Sequence, residues 1–254
     1  MLSKSQIKNL QALQLKKFRD QRRCFIAEGN KTVSEILMNK PEIVREIYAT
    51  GEFISKHPPL QKQNVLFTEI TDDELKKISL QSSPNMALAV CSYLEPTAIN
   101  EDMTDPFTFY LDDIRDPGNF GTILRLAAWF GINTVYCSPS SCELYNPKVI
   151  QSTMGAFLRL NVQYLSLKEL KETIKPANIY GTFLSGNDLY TEKLSNGIIV
   201  IGNEANGISD ENTALVTKKI TIPSGKTGGT ESLNAAVATS IIAGEFFRQL
   251  GKRR

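Results

Sequence analysis

Gly197-Ile-Ile-Val-Ile-Gly-Asn-Glu204-Ala-Asn-Gly207-Ile-Ser209 is the stretch on which the fold turns. Ile198 to Ile201 is a short, unbroken apolar run bounded by glycines, the pattern of a strand buried on both faces of an α/β sheet. Such a strand delivers Asn203 and Glu204 at its carboxyl end, where open α/β sheets bind ligands. A helical pattern, Ser209 to Val216, leads to a second strand, Ile220 to Ile222, which Pro223 stops. With these two strand ends side by side, the loop Ser224 to Thr230 brings Ser232 and Asn234 to the mouth of an apolar helix, Leu233 to Phe247. The expected result is a pocket of backbone and a few polar groups.

Working upstream, Phe107 to Leu111, Thr134 to Cys137, Leu160 to Tyr164 and Ile179 to Leu184 supply further strands, with helical patterns between most of them. This alternation predicts a mostly parallel sheet covered on both faces. After Leu111 a turn-rich loop, Asp112 to Gly121, is expected to open the helix Thr122 to Phe130, with Asn119 in the loop and Arg125 near the helix start. No Gly-Lys-Ser/Thr follows and no true Gly-x-Gly-x-x-Gly is present, which argues against nucleotide triphosphatases and dinucleotide oxidoreductases.

The first third alternates in the same way: helix Lys4 to Leu15, strand Cys24 to Ala27, helix Lys31 to Met38, and strands Ile43 to Tyr48, Val65 to Thr68 and Met86 to Tyr93. Thr71-Asp-Asp-Glu74 is a capping box opening the helix Glu74 to Ile78. A polar stretch with Pro96 and Pro106 predicts domains at 1–95 and 107–254, joined by a linker at 96–106.

The net charge of +2 hides an asymmetry. Residues 1–31 hold eight basic side chains against two acidic ones, a net +6, so the remainder carries −4. A basic segment of this kind suits a polyanion, and Lys16, Lys17, Arg19, Arg22 and Arg23 are its candidate contacts with one. Four scattered cysteines without a Cys-x-x-Cys pair, and the single His57 beside Pro58 and Pro59, indicate neither a metal site, a disulfide framework nor a Ser-His-Asp triad. No apolar run approaches the ~20 residues of a membrane helix and no signal peptide is visible, so a cytoplasmic protein is expected.

Asn119-Phe-Gly121-Thr-Ile-Leu-Arg125, Ile201-Gly-Asn-Glu204-Ala-Asn-Gly207-Ile-Ser209, and Ile222-Pro223 followed by Glu231-Ser-Leu-Asn234 resemble, in order, the three motifs of the SpoU, or TrmH-like, RNA 2′-O-ribose methyltransferases. The resemblance spans about residues 105–254, and the first third is similar to the ribosomal-protein-like RNA-binding α/β domain that often precedes this catalytic domain. It implies a SPOUT parallel-sheet fold with a deep trefoil knot, and a homodimer formed at that knot. It also implies S-adenosylmethionine as methyl donor, no metal, and RNA as substrate, ribosomal RNA first and transfer RNA second. Carried onto this chain, it assigns Arg125 as the catalytic arginine, with Asn119, Glu204, Ser232 and Asn234 beside it. The donor would lie among Thr182, Phe183, Leu184, Gly202, Asn203, Ile222 and Leu233. An RNA-binding protein that keeps the fold without efficient catalysis is the alternative from another class.

Overall fold

The computed structural model describes residues 2–57, 65–95, 97–99, 105–225 and 232–251. Pro58, Pro59, residues 96 and 100–104 of the expected linker, residues 226–230 of the expected loop, and Glu231 lie outside the described residues. The chain divides into two compact units, Met1–Glu95 with Glu143–Leu158, and Pro96–Cys142 with Arg159–Arg254. Residues 143–158, which follow the expected linker in sequence, thus cluster with the first unit.

The first unit runs α1 (Lys4–Ala12), α2 (Lys16–Arg22), β1 (Cys24–Glu28), α3 (Asn30–Asn39), β2 (Val44–Ala49), α4 (Gly51–Lys56), β3 (Leu66–Glu69), α5 (Asp72–Ile78) and β4 (Ala87–Ser92). Its sheet has the order β1-β4-β2-β3, with β4 antiparallel to β1 and β2, and β3 parallel to β2. Ser3 with Gln6, and Thr71 with Glu74, form the capping boxes that start α1 and α5. The single helix expected over Lys4 to Leu15 instead stops at Ala12, because Leu13 turns into the core and a second helix starts at Lys16.

Arg19 explains how that break is tolerated, and it corrects the RNA-contact assignment. Its guanidinium is buried and donates from Nη1 to the carbonyls of Leu13 (2.8 Å) and Gln14 (2.6 Å), while Nη2 pairs with Glu143 of the same unit. Carbonyls left over where a helix ends need donors, and a buried cation needs a partner; Arg19 answers both. It is therefore a structural residue and no phosphate contact. Lys16, Lys17, Arg22 and Arg23 are exposed, with Arg23 paired to Glu95 at 3.1 Å.

The second unit begins with β5 (Phe107–Leu111), α6 (Pro117–Trp129) and β6 (Thr134–Cys137). The next helix, α7 (Pro147–Thr153), belongs to the first unit, where Phe25 of β1 stacks near Tyr145 (4.8 Å) and meets Phe157 edge-on (84°). The second unit then resumes with β7 (Asn161–Tyr164), α8 (Leu167–Ile174), β8 (Ile179–Asp188), β9 (Gly197–Ile201), α9 (Asp210–Thr213), β10 (Lys218–Thr221) and α10 (Ala235–Leu250).

Its six-stranded sheet has the order β10-β8-β9-β5-β6-β7, and every pairing is parallel. The central strands β5 and β9 are buried at every position, as their unbroken apolar runs predict. On one face α10 packs on α6, with Phe130 and Phe247 5.4 Å apart, and Phe246 lies between Phe107 and Tyr180. One expectation fails here: β8 stands between β9 and β10, so the strands ending at Ile201 and Thr221 are not neighbours.

Candidate active site

Three polar side chains from distant parts of the second unit meet at the carboxyl ends of its strands. Asn119 comes from α6, Glu204 from the turn after β9, and Asn234 from the start of α10. Asn234 donates from Nδ2 to Asn119 Oδ1 (2.9 Å), and Asn119 donates from Nδ2 to Glu204 Oε1 (2.6 Å). All three residues are exposed or partly so, as a site open to ligand requires.

Local sequence explains each placement. The expected loop Asp112 to Gly121 is shorter than predicted: Asp116 caps α6 by accepting from Asn119 N (2.7 Å), and Pro117 occupies the first helical position. Asn119 therefore sits in the helix's first turn rather than in a loop. Asn234, in turn, caps α10, its Oδ1 accepting from Ala236 N (2.9 Å) and Val237 N (3.3 Å). Because the cap consumes the oxygen, the amide nitrogen must face Asn119, whose own nitrogen then faces Glu204. The N-termini of α6 and α10 both end at this cluster, and their partial positive charge favours anions there.

The turn that carries Glu204 is fixed at both ends. Asn203 pairs with Gly207 across a short antiparallel bridge and donates from Nδ2 to Asp113 O (2.8 Å), while its Oδ1 accepts from Ala205 N and Asn206 N. At the far end Asp112, 3% exposed, accepts from both Ser209 N (2.8 Å) and Ser209 Oγ (2.9 Å). Gly202 has no room for a side chain, since a Cβ there would lie 2.3 Å from Gly207 C. Asn203 thus serves as a brace, and Asp112 and Ser209 are site-shaping residues that sequence reasoning missed; the one available signal was Asp112 directly following a buried strand.

The residues expected to hold the methyl donor fall at three neighbouring strand ends. Thr182, Phe183 and Leu184 lie in an excursion of β8: Lys219 pairs with Gly181 but Ile220 with Asn187, so the residues between leave the ladder with β10. Thr182 Oγ1 is held by Val200 O (3.0 Å), and Leu184 O accepts from Thr221 Oγ1 (3.2 Å). Gly202 and Asn203 follow β9, and Ile222 follows β10. Leu184, within the β8 excursion, and Leu233, just before α10, are exposed and apolar. Freed backbone groups beside apolar side chains fit a purine nucleoside, so the donor set suits S-adenosylmethionine.

Arg125 and Ser232 are not part of the hydrogen-bonded cluster. Arg125 is exposed on α6, about 9 Å along the helix axis from Asn119, and has no ion pair or hydrogen bond among the described residues. Ser232 is likewise exposed and without a side-chain hydrogen bond there. No disulfide and no cluster of metal-binding side chains occurs among the described residues.

Comparison with known proteins identifies the family. Residues 106–244 match the SpoU rRNA Methylase family and residues 4–89 an MRM3-like substrate binding domain. The 23S rRNA (guanosine(2553)-2′-O)-methyltransferase RlmP of Bacillus subtilis is 26% identical over 240 residues, covering 93% of both chains. A solved structure of a TrmH-family protein from Porphyromonas gingivalis is 34% identical, covers 98% of this chain and 99% of its own, and superposes with a TM-score of 0.83. The AdoMet-bound rRNA methyltransferase of Sinorhizobium meliloti, 24% identical over 98% of this chain and 97% of its own, shares the fold with a TM-score of 0.85. With more than half its length in the family match, and a 34% identical relative along nearly its whole length, the chain belongs to the SpoU rRNA methylase family.

Proposed function

We propose that the protein is an S-adenosylmethionine-dependent methyltransferase that modifies a ribose 2′-hydroxyl of ribosomal RNA. The observation that carries this reading is the Asn234–Asn119–Glu204 relay, which joins the three sequence motifs into one site at the carboxyl ends of a parallel sheet. RlmP, similar along 93% of its length, acts on rRNA, and the AdoMet-bound rRNA methyltransferase of Sinorhizobium meliloti shares this fold. No helix among the described residues is long and apolar enough to cross a membrane.

When bound, S-adenosylmethionine supplies an electrophilic sulfonium methyl. Thr182, Gly202, Asn203 and Ile222 would hold it so that the ribose oxygen receives the methyl and a neutral thioether leaves, and a phosphate oxygen of the RNA would take the hydroxyl proton. An arginine is too basic to take that proton readily. Arg125, exposed and unpaired among the described residues, instead grips the RNA phosphate and stabilises the developing alkoxide. Glu204 and Asn119 hold the loop and helix end in place, and Ser232 and Asn234 line the entrance. Positioning supplies much of the remaining rate, since the methyl is already activated.

The division of labour follows the two units. The first unit selects the RNA through Lys16, Lys17, Arg22 and Arg23, and the second carries the chemistry. The trefoil knot and a homodimer built on it complete the proposal; the packing of α10 on α6 and the exposed Trp129 at the end of α6 support them.

The test is methyl transfer to rRNA from cells lacking the gene, followed by alkaline hydrolysis. A 2′-O-methyl blocks alkaline cleavage, so label in alkali-resistant dinucleotides supports the reading. Label in free nucleotides, or donor binding without any transfer, refutes it.

A further inference from the structure

The first unit contains a cavity of about 490 Å³ between α1 and the face of its sheet. Leu10, Leu13 and Val90 supply apolar surface, and Asn9, Arg45 and Glu46 supply polar groups. A regular strand would send Arg45 and Glu46 to opposite faces. Here β2 is irregular: Val44 pairs with Cys91 but Glu46 with the next residue of β4, Val90, so Arg45 is an extra residue. Such a bulge re-aims a side chain, and both charged residues line the same cavity.

Their bonding leaves specific valences open. Arg45 donates from Nε to Ser92 Oγ (2.8 Å), from Nη1 to Arg22 O (3.0 Å) and from Nη2 to Arg23 O (3.0 Å). A guanidinium has five N–H groups, so two have no partner among the described residues. Glu46 Oε2 accepts from Tyr48 (2.5 Å), which leaves Oε1 without a hydrogen bond among them. The cavity thus presents donors beside a carboxylate that only accepts.

We propose that this cavity docks an unpaired guanine base of the RNA, a proposal that rests on the reading of the chain as an RNA-acting protein. Guanine's Watson–Crick edge carries the acceptor O6 beside the donors N1–H and N2–H2. The guanidinium of Arg45 donates to O6 and the carboxylate of Glu46 accepts from N1–H and N2–H2. Adenine and cytosine offer a carboxylate only their exocyclic amine, and uracil only N3–H. Splayed bases read on their edges are the usual basis of sequence choice in RNA, and the exposed Lys16, Lys17 and Arg23 on and just after α2 supply phosphate contacts in the same unit.

The experiment is an anisotropy titration of the full chain with short single-stranded RNAs, all uridine except for one guanosine, inosine or adenosine, and with guanosine monophosphate as competitor. Guanosine RNA is expected to bind about tenfold more tightly than adenosine RNA, with inosine, which lacks the N2 amine, between them. Glu46→Gln keeps an oxygen for Tyr48 and is expected to abolish the preference, so that guanosine and adenosine RNAs bind the variant equally. Equal affinities, a preference that survives Glu46→Gln, or guanosine monophosphate binding as tightly as the RNA would each overturn the proposal. Methyl transfer measured on the same preparations separates the two readings: transfer without guanosine preference removes the cavity's role only, and preference without transfer removes the enzymatic reading only.

Discussion

Asn234 does two jobs with one amide, capping α10 with its oxygen and holding Asn119 with its nitrogen. Removing both by Asn234→Ala should lower stability by about 1 kcal/mol, the usual worth of a cap, and also reduce methyl transfer. Asn234→Asp keeps the capping oxygen but loses the donor, so urea unfolding should stay near native while kcat falls. Native kcat in Asn234→Asp would show that the residue only caps. Arg19 gives the opposite lesson. Arg19→Ala removes the donor that the Leu13 and Gln14 carbonyls share and should cost about 1–3 kcal/mol, whereas Lys16→Ala, at an exposed position, should leave unfolding unchanged. In sequence the two basic residues look alike, because nothing local reveals that Leu13 and Gln14 need a donor.

Among the elements, the turn from Gly202 to Ser209 is the most constrained part of the site. Gly202→Ala would drive its Cβ into the Gly207 backbone, so it should abolish donor binding in calorimetry while Asn206→Ala, exposed on the same turn, leaves it intact. The strands of the parallel sheet were legible because both faces of β5 and β9 are buried, which makes their apolar runs continuous. The capping box at Thr71 was legible for a local reason too: its partners are three residues apart. Three features were not. Gly118 and Gly121 disguise the first turn of α6, which Asp116 and Pro117 secure. Helix α9 is one short turn rather than the span Ser209 to Val216. The neighbours of β10 are set by strand order, which is a non-local property. Of the site, the identity of Asn119, Glu204 and Asn234 came from motifs in order, but their hydrogen-bonded relay depends on segments more than 80 residues apart.

At the scale of the whole molecule, charge makes two predictions. Glu192 and Glu245 are held below the ordinary carboxylate value of 4.5, first by hydrogen bonds from Lys218 and Arg248 respectively, while Glu74 is held there first by the backbone N–H of Leu2 and then by that of Thr71, and Glu169 by capping hydrogen bonds from Ser166. A carboxylate with a lowered folded pKa adds stability above its unfolded value and loses it as pH falls through the folded one. The urea midpoint should therefore drop as pH falls below about 4.5. Glu28 has the opposite sign, since burial raises its pKa and its contribution weakens as pH rises. RNA binding should weaken steeply with salt, and neutralising Lys16, Lys17 and Arg23 together should reduce the log–log slope by about 2.

The central claim is that Arg125 acts on RNA in a site built around the Asn119–Glu204 relay. Its most direct test is transfer of labelled methyl from S-adenosylmethionine to rRNA by native protein and by Arg125→Ala, with donor binding and unfolding measured on both. The account predicts that Arg125→Ala folds and binds the donor as the native chain does, because the side chain is exposed and unpaired among the described residues, yet transfers no methyl to ribose. Transfer at the native rate by Arg125→Ala would contradict it.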